Sequence, residues 1–168
     1  MFAGGTMCDF KYYLRVRYSE CDGQKVVYNA RYGDYTGLAM HEYLRVTGLS
    51  REFDEQGLSF QLVMQTMEWK ASARFDQVLE LSVLVTRVGN TSFTAVTELR
   101  VAGEGELRAV AETVHVLIDE RTMTKVPITG RQREMLMGGT GGAKVDHAGH
   151  LAQLCGCTDC MYDLPICM

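Results

Sequence analysis

No apolar run in this chain approaches the ~18 residues of a membrane-spanning helix, so no span is expected. Nor is there an excess of positive charge. The net charge is −4 and the sequence pI about 5.6, which argues against a general binder of nucleic acid or anionic membranes. The opening MFAGGTMCDFKYY has no basic stretch followed by an apolar core, so it does not read as a signal peptide. A reducing, cytoplasmic setting follows as the expectation. No internal repeat is found. Cysteine is absent between Cys21 and Cys155, whereas Cys155, Cys157, Cys160 and Cys167 crowd the last fourteen residues.

What is present is ordinary soluble composition, 46% hydrophobic and 23% charged, in 168 residues. One domain with a substantial core is the default at that length. Residues 10 to 18 alternate, with Tyr12, Leu14, Val16 and Tyr18 on one side, which predicts a half-buried strand. From Tyr32 the period becomes helical: Tyr32, Tyr35, Ala39, Tyr43 and Val46 form one stripe, and Gly48 is a natural stop. Asn29 is placed to cap that helix. Gly33 and Gly37 inside it each cost roughly 1 kcal/mol against Ala, which suggests close packing there.

Residues 50 to 57 read as a helical turn, and residues 58 to 70 as a strand that is apolar on both faces. Residues 78 to 88, 92 to 101 and 107 to 118 alternate as three more strands. Gly89-Asn90 and Gly103-Glu104-Gly105 supply hairpin turns between them. One long helix against about five antiparallel strands is an α+β arrangement. This unit is expected to occupy residues 1 to 137. GGTGGAK at 138 to 144 reads as a flexible linker, and residues 138 to 168 as a Cys/His-rich tail of unknown role. In that tail Cys157-x-x-Cys160 and His147-x-x-His150 are zinc-ligand types, but their spacing matches no zinc module. No metal site is expected, and a loosely packed tail is.

The stretch YSECDGQKVVYNARY, residues 18 to 32, is the most informative. It sets two acids in the connection between a strand and a helix. Arg17, Tyr18, Glu20, Cys21, Asp22, Val27, Asn29, Ala30 and Tyr32 fall in register on a known signature. The segment resembles that of the 4-hydroxybenzoyl-CoA thioesterase-like branch of hotdog-fold proteins. IDERTMTKVPI, at 118 to 128, resembles the family's ending after the last strand. The resemblance covers roughly residues 10 to 130 and leaves out the tail.

The resemblance implies a hotdog fold, in which the sheet wraps the long helix, and hydrolysis of acyl-CoA to free acid and CoA. It implies that Asp22 acts as nucleophile or as general base for water, and that the backbone amide of Asn29 polarises the thioester carbonyl. Elementary chemistry agrees. A thioester needs a nucleophile near its carbon and donors where charge develops on oxygen, and a helix N-terminus supplies free amides. Tyr28 and Tyr32 are the candidate acyl contacts, although the tyrosine stripe is chiefly core. RVGNTSF at 87 to 93 resembles the family's coenzyme-A contact region, with Thr91 and Ser92 as donors; ordinary turn chemistry is the alternative.

Two departures stand out. Lys25 occupies a position that is usually Gly in the family, and tolerates it only with negative φ or with strain. The acid that the family often carries near Gly37 is missing. Glu20 is expected to pair with Arg15 or Arg17. Cys21, between two acids, is a poor nucleophile and is expected to pack as a small apolar group. His41 and His115 are expected to be surface and buried structural histidines respectively. No histidine stands in the opening motif, which counts against a dehydratase. A hotdog protein that binds acyl thioesters without turning them over is the main alternative. No cofactor is implied. The family implies homodimers or homotetramers, and the two-faced apolar strand at 58 to 70 gives a reason for association through the sheet.

Overall fold

The structure is a computed structural model that describes residues 10–155. Its frame is one mixed sheet of six strands in the order β2-β5-β4-β3-β1-β6. The strands are β1 (Lys11–Arg15), β2 (Leu58–Trp69), β3 (Val78–Val88), β4 (Ser92–Val101), β5 (Leu107–Asp119) and β6 (Lys144–Asp146). Four helices accompany them: α1 (Arg31–Val46), α2 (Leu49–Gln56), α3 (Gly130–Met137) and α4 (His150–Cys155). Among the described residues only the β1–β6 pairing is parallel. Among the described residues no helix is long and apolar enough to cross a membrane.

The core lies between α1 and one face of the sheet. Tyr32, Tyr35, Ala39 and Tyr43 are buried as the helical stripe requires, joined by Thr36, Met40 and Leu44. Val46 departs from that stripe and is exposed in the last turn. Gly48 takes a φ of +83° and ends the helix, a conformation that costs a residue with a Cβ. Facing α1, Leu79, Leu81, Val83 and Val85 of β3 are buried, as are Phe93, Ala95, Thr97 and Leu99 of β4. This is the inward half of each alternating pattern.

The two-faced apolar reading of residues 58 to 70 has a local cause. Leu62 pairs with His115 and Met64 with Val114, so Val63 is an extra residue in a β-bulge. Phe60 before the bulge and Met67 after it both pack on the core. The inward parity switches from even to odd, and Leu62, Val63 and Met64 are left exposed on an edge strand.

Three expectations need correction. The first strand ends at Arg15 rather than at residue 18, and Tyr18 stands 82% exposed in a 3-10 turn over Tyr18–Glu20. The helix α3 carries a signal that the periodicity reading passed over: Thr129 and Gln132 form a reciprocal capping box, side chain to backbone at 3.2 and 3.0 Å. The glycine-rich stretch after residue 137 leads straight back to the sheet. Gly139, Gly141 and Gly142 all have positive φ, the chain reverses, and Lys144–Asp146 adds to β1. His147 then meets Tyr12 edge-on and His150 stacks on Tyr13, ring centroids 5.2 Å apart in both pairs. Tyr12 and Tyr13 are adjacent in a strand and face opposite ways, so this segment grips β1 from both sides. The expectation of loose packing therefore fails through Asp146 and the two histidines. Cys157, Cys160 and Cys167 lie outside the described residues.

Candidate active site

The connection from β1 to α1 is a compact hairpin. Cys21 and Val27 bridge, and the Asp22 amide donates to the Val26 carbonyl at 2.9 Å. The Lys25 amide closes the turn on the Asp22 carbonyl, also at 2.9 Å. Lys25 has a φ of +63°, the left-handed region. The lysine thus keeps the backbone shape that glycine would give there and bears its strain, of order 1 kcal/mol. The departure from the family pattern leaves the turn intact.

Asp22 is half-buried, and its Oδ1 accepts from the Gln24 amide at 2.8 Å, an Asx turn that orients the carboxylate. The Tyr28 amide donates to the Glu20 carbonyl at 2.9 Å, which folds the far arm of the hairpin against the near one. The helix follows at once, with the Arg31 amide bonding to the Tyr28 carbonyl at 2.9 Å. Asn29 does not cap it: Ala30 is the N-cap, and no side chain accepts from the first turn. The reason is that Ala30 already has helical φ and ψ, so the entry tightens through i+3 bonds instead. The Asn29 backbone amide meets no protein acceptor among the described residues. It is a donor of the kind a carbonyl oxygen could take up.

A cavity of about 430 Å³ brings Asp22, Tyr28, Asn29 and Tyr32 together. Four of the six residues expected at the site thus share one hollow. Thr91 and Ser92 are absent from its lining, being set in the β3–β4 hairpin, where their carbonyls accept from Leu117 and Gly89. The opposite wall comes from Trp69, Lys70, Ala71 and Ser72, which the sequence reading missed. No local signal marks them. They arrive because β2 ends there and because the Val27 amide bonds to the Ala73 carbonyl at 2.9 Å. The Ala73 amide in turn donates to the Tyr32 hydroxyl at 3.1 Å. Burial raises the Tyr32 pKa, so that hydroxyl is neutral.

The neighbours of Asp22 have structural roles. Glu20 does not form the expected ion pair with Arg15 or Arg17. Its Oε2 accepts from the Arg17 backbone amide at 2.7 Å and from the Tyr35 hydroxyl at 2.8 Å, while Arg15 pairs with Asp76. Cys21 packs on the core as a small apolar group, as expected. His41 is exposed on α1, against Phe60. His115 is buried and within 3.1 Å of the Thr113 hydroxyl. The close packing expected at the two helical glycines is not found: a Cβ at Gly33 would meet Gln65 at an ordinary contact distance of 3.5 Å, and Gly37 faces open space. Among the described residues no three or more histidines, cysteines or acids gather as a metal site.

The architecture, one long helix laid on a mostly antiparallel six-stranded sheet, is that of the hotdog fold. Comparison with known proteins agrees. A family model described as the thioesterase-like superfamily matches residues 16–136. The acyl-CoA thioester hydrolase YbgC of Escherichia coli is 32% identical over 119 residues, 68% of this chain and 85% of the relative. A hypothetical protein from Aquifex aeolicus superposes with a TM-score of 0.69 at 26% identity, over 76% of this chain and 98% of that one. A 1,4-dihydroxy-2-naphthoyl-CoA thioesterase from Synechocystis gives a TM-score of 0.68 at 24% identity, covering 76% and 94%, a likeness of fold. The chain belongs to the thioesterase-like superfamily.

Proposed function

We propose that this protein hydrolyses acyl-CoA thioesters to free acid and CoA, with Asp22 as nucleophile or general base. The observation that carries the reading is the shared cavity: the oriented carboxylate of Asp22 and the unpaired amide of Asn29 line one hollow at the start of α1. The thioester carbonyl lodges between them. Its oxygen takes the Asn29 amide, aided by the positive end of the helix dipole, and its carbon faces Asp22 or a water held by it. If Asp22 attacks, the thiolate of CoA leaves and water cleaves the resulting anhydride. If it acts as base, it takes the proton of the attacking water and the thiolate leaves in the same way. Tyr28, 53% exposed, and Trp69, 49% exposed, offer apolar surface to the acyl group at the mouth. Thr91 and Ser92 remain candidates for the CoA portion.

The functional unit is a homodimer or homotetramer associated through β2, whose exposed Leu62, Val63 and Met64 lie on a sheet edge. The turn that Lys25 preserves removes one reason to favour a non-catalytic binder. The deciding experiment is a coupled thiol-release assay over a panel of acyl-CoA chain lengths and aryl-CoA substrates. Asp22→Asn should cost roughly 10²–10⁴ in rate. Thiol release that persists unchanged in the Asn variant removes Asp22 from the mechanism. Binding of acyl-CoA without any thiol release would leave the non-catalytic reading.

A further inference from the structure

A second cavity, about 370 Å³, shares no lining residue with the first. Its floor is Leu14 and Val16 of β1, and its sides include Leu38 of α1 and Phe75. These sides are unusually apolar for positions in water. Leu38 is 50% exposed and Phe75 54%, and Tyr18 meets Phe75 edge-on at the rim with centroids 5.9 Å apart. Scattered exposed apolar residues need no explanation, but a cluster around a hollow points to an occupant.

The polar groups of the cavity select its charge. Both carboxylates are engaged: Glu20 by the Tyr35 hydroxyl and the Arg17 amide, Asp76 by the Arg15 guanidinium at 3.2 Å. Arg17 also lines the cavity, and its guanidinium has no carboxylate within 4 Å among the described residues. Burial and then Glu42 raise the pKa of the Tyr12 hydroxyl, while Arg17 lies near enough to oppose them. Arg17 thus brings to the lining a cation with no carboxylate within ion-pair distance among the described residues.

The remaining wall comes from outside the part of the chain that the family model matches. His147 follows β6, beyond residue 136. Its Nδ1 lies 3.1 Å from the Tyr12 hydroxyl, and its Nε2 lies 3.9 Å from Glu42 of α1. The docked segment thereby contributes His147 to the lining of the cavity.

We propose that this cavity is a second binding site, for a monocarboxylate with an apolar body. The carboxylate pairs with Arg17, where a planar guanidinium can take both oxygens. The apolar body lies over Leu14, Leu38 and Phe75, and His147 bounds the site. At the ~30 Å³ that a water occupies in the liquid, the volume holds about a dozen non-hydrogen atoms, enough for an eight-carbon fatty acid. The site abuts the active turn through Glu20, whose side chain holds Tyr35 and whose carbonyl holds the Tyr28 amide. A ligand seated there leans on the turn that carries Asp22. The binding claim itself is independent of hydrolysis.

Titration calorimetry of the full chain with octanoate tests it, with octylamine and octanol as controls for charge. Octanoate should bind one molecule per chain, and neither control should match it. Arg17→Gln and Leu38→Trp, both at exposed positions, should each weaken octanoate by about tenfold or more. His147→Ala should weaken it by less, since His147 bounds the cavity without being the anion partner. Octanoate binding should survive Asp22→Asn, which separates this site from the first cavity. Thermal unfolding of each variant checks that it is folded. Absence of binding at millimolar octanoate overturns the proposal. So does affinity unchanged in Leu38→Trp, or equal binding of octanol or octylammonium.

Discussion

The Tyr35 hydroxyl donates to Glu20 Oε2 at 2.8 Å, and this bond ties the turn that carries Asp22 to the helix that it precedes. Tyr35 sits in α1 with 2% of its surface exposed. Burial, and then the Glu20 hydrogen bond, push its pKa far above the ordinary phenol range, so it stays a donor. Glu20 uses the same oxygen to take the Arg17 amide at 2.7 Å. One carboxylate thus fixes the entry of the turn to the buried stripe of the helix.

Removing that hydroxyl should loosen the turn without touching the reacting groups. Tyr35→Phe keeps the ring and its packing, and leaves Glu20 with the Arg17 amide alone. The expected loss of stability is about 1–2 kcal/mol, read by urea unfolding. Thiol release should fall by roughly 3- to 10-fold, well short of the loss in Asp22→Asn, because only positioning is impaired. An unaltered rate alongside the stability loss would confine Glu20 and Tyr35 to folding.

Lys25 invites the opposite outcome. Its φ of +63° costs a residue with a Cβ, and glycine escapes that cost but pays with greater freedom in the unfolded chain. Lys25→Gly should therefore raise stability by up to about 1 kcal/mol, with thiol release within about twofold of wild type. A larger drop in rate, appearing as a raised KM for CoA thioesters, would instead show the ammonium reaching the substrate's phosphates.

His115 gives the fold an acid-sensitive point. It is 4% exposed, stacked on Phe93 with ring centroids 5.0 Å apart, and its Nδ1 has no hydrogen-bond partner among the described residues. Burial, with His41 adding a little, lowers its pKa to about 4. The unfolded chain takes up that proton near pH 6.5, whereas the folded chain resists it. Stability from this group is full above pH 6.5, falls as pH drops toward 4, and levels off once the folded form also protonates. The total is about 3 kcal/mol. Urea unfolding of wild type and His115→Phe at several pH values isolates it, because the remaining titrating groups contribute alike to both proteins. The difference in stability should shift in favour of the variant between pH 6.5 and 4.

The parts of this fold that depend on near neighbours were legible in the sequence. The stripe Tyr32, Tyr35, Ala39 and Tyr43 marks the helix, and single-face alternation marks β3, β4 and β5. The turn at 20 to 32 is likewise local, and its resemblance to the thioesterase signature grouped Asp22, Tyr28, Asn29 and Tyr32 before any coordinates. What escaped depends on distant partners or on a single residue. Trp69 to Ser72 wall the first cavity only because β2 ends beside that turn. The three-residue strand at Lys144–Asp146 is too short for any period to show. Val63, one residue out of step, made β2 look apolar on both faces when two one-sided halves had been joined.

That extra residue also sets the last expectation. Val63 is 57% exposed on the edge strand, flanked by Leu62 and Met64, at 51% and 42%. A long apolar edge with unpaired backbone groups is avoided in proteins that remain monomeric, usually by charge or proline. Here neither is present between Phe60 and Thr66, so the edge is suited to a second copy. Val63→Lys places a charge at the bulge, where the side chain touches nothing essential to the chain's own core. Sedimentation should give a dimer or tetramer for wild type and a shift to monomer for the variant, the dissociation constant rising by about 100-fold or more. The folded monomer should keep its thermal midpoint near that of the dissociated wild type. If wild type and variant sediment identically, association does not run through β2.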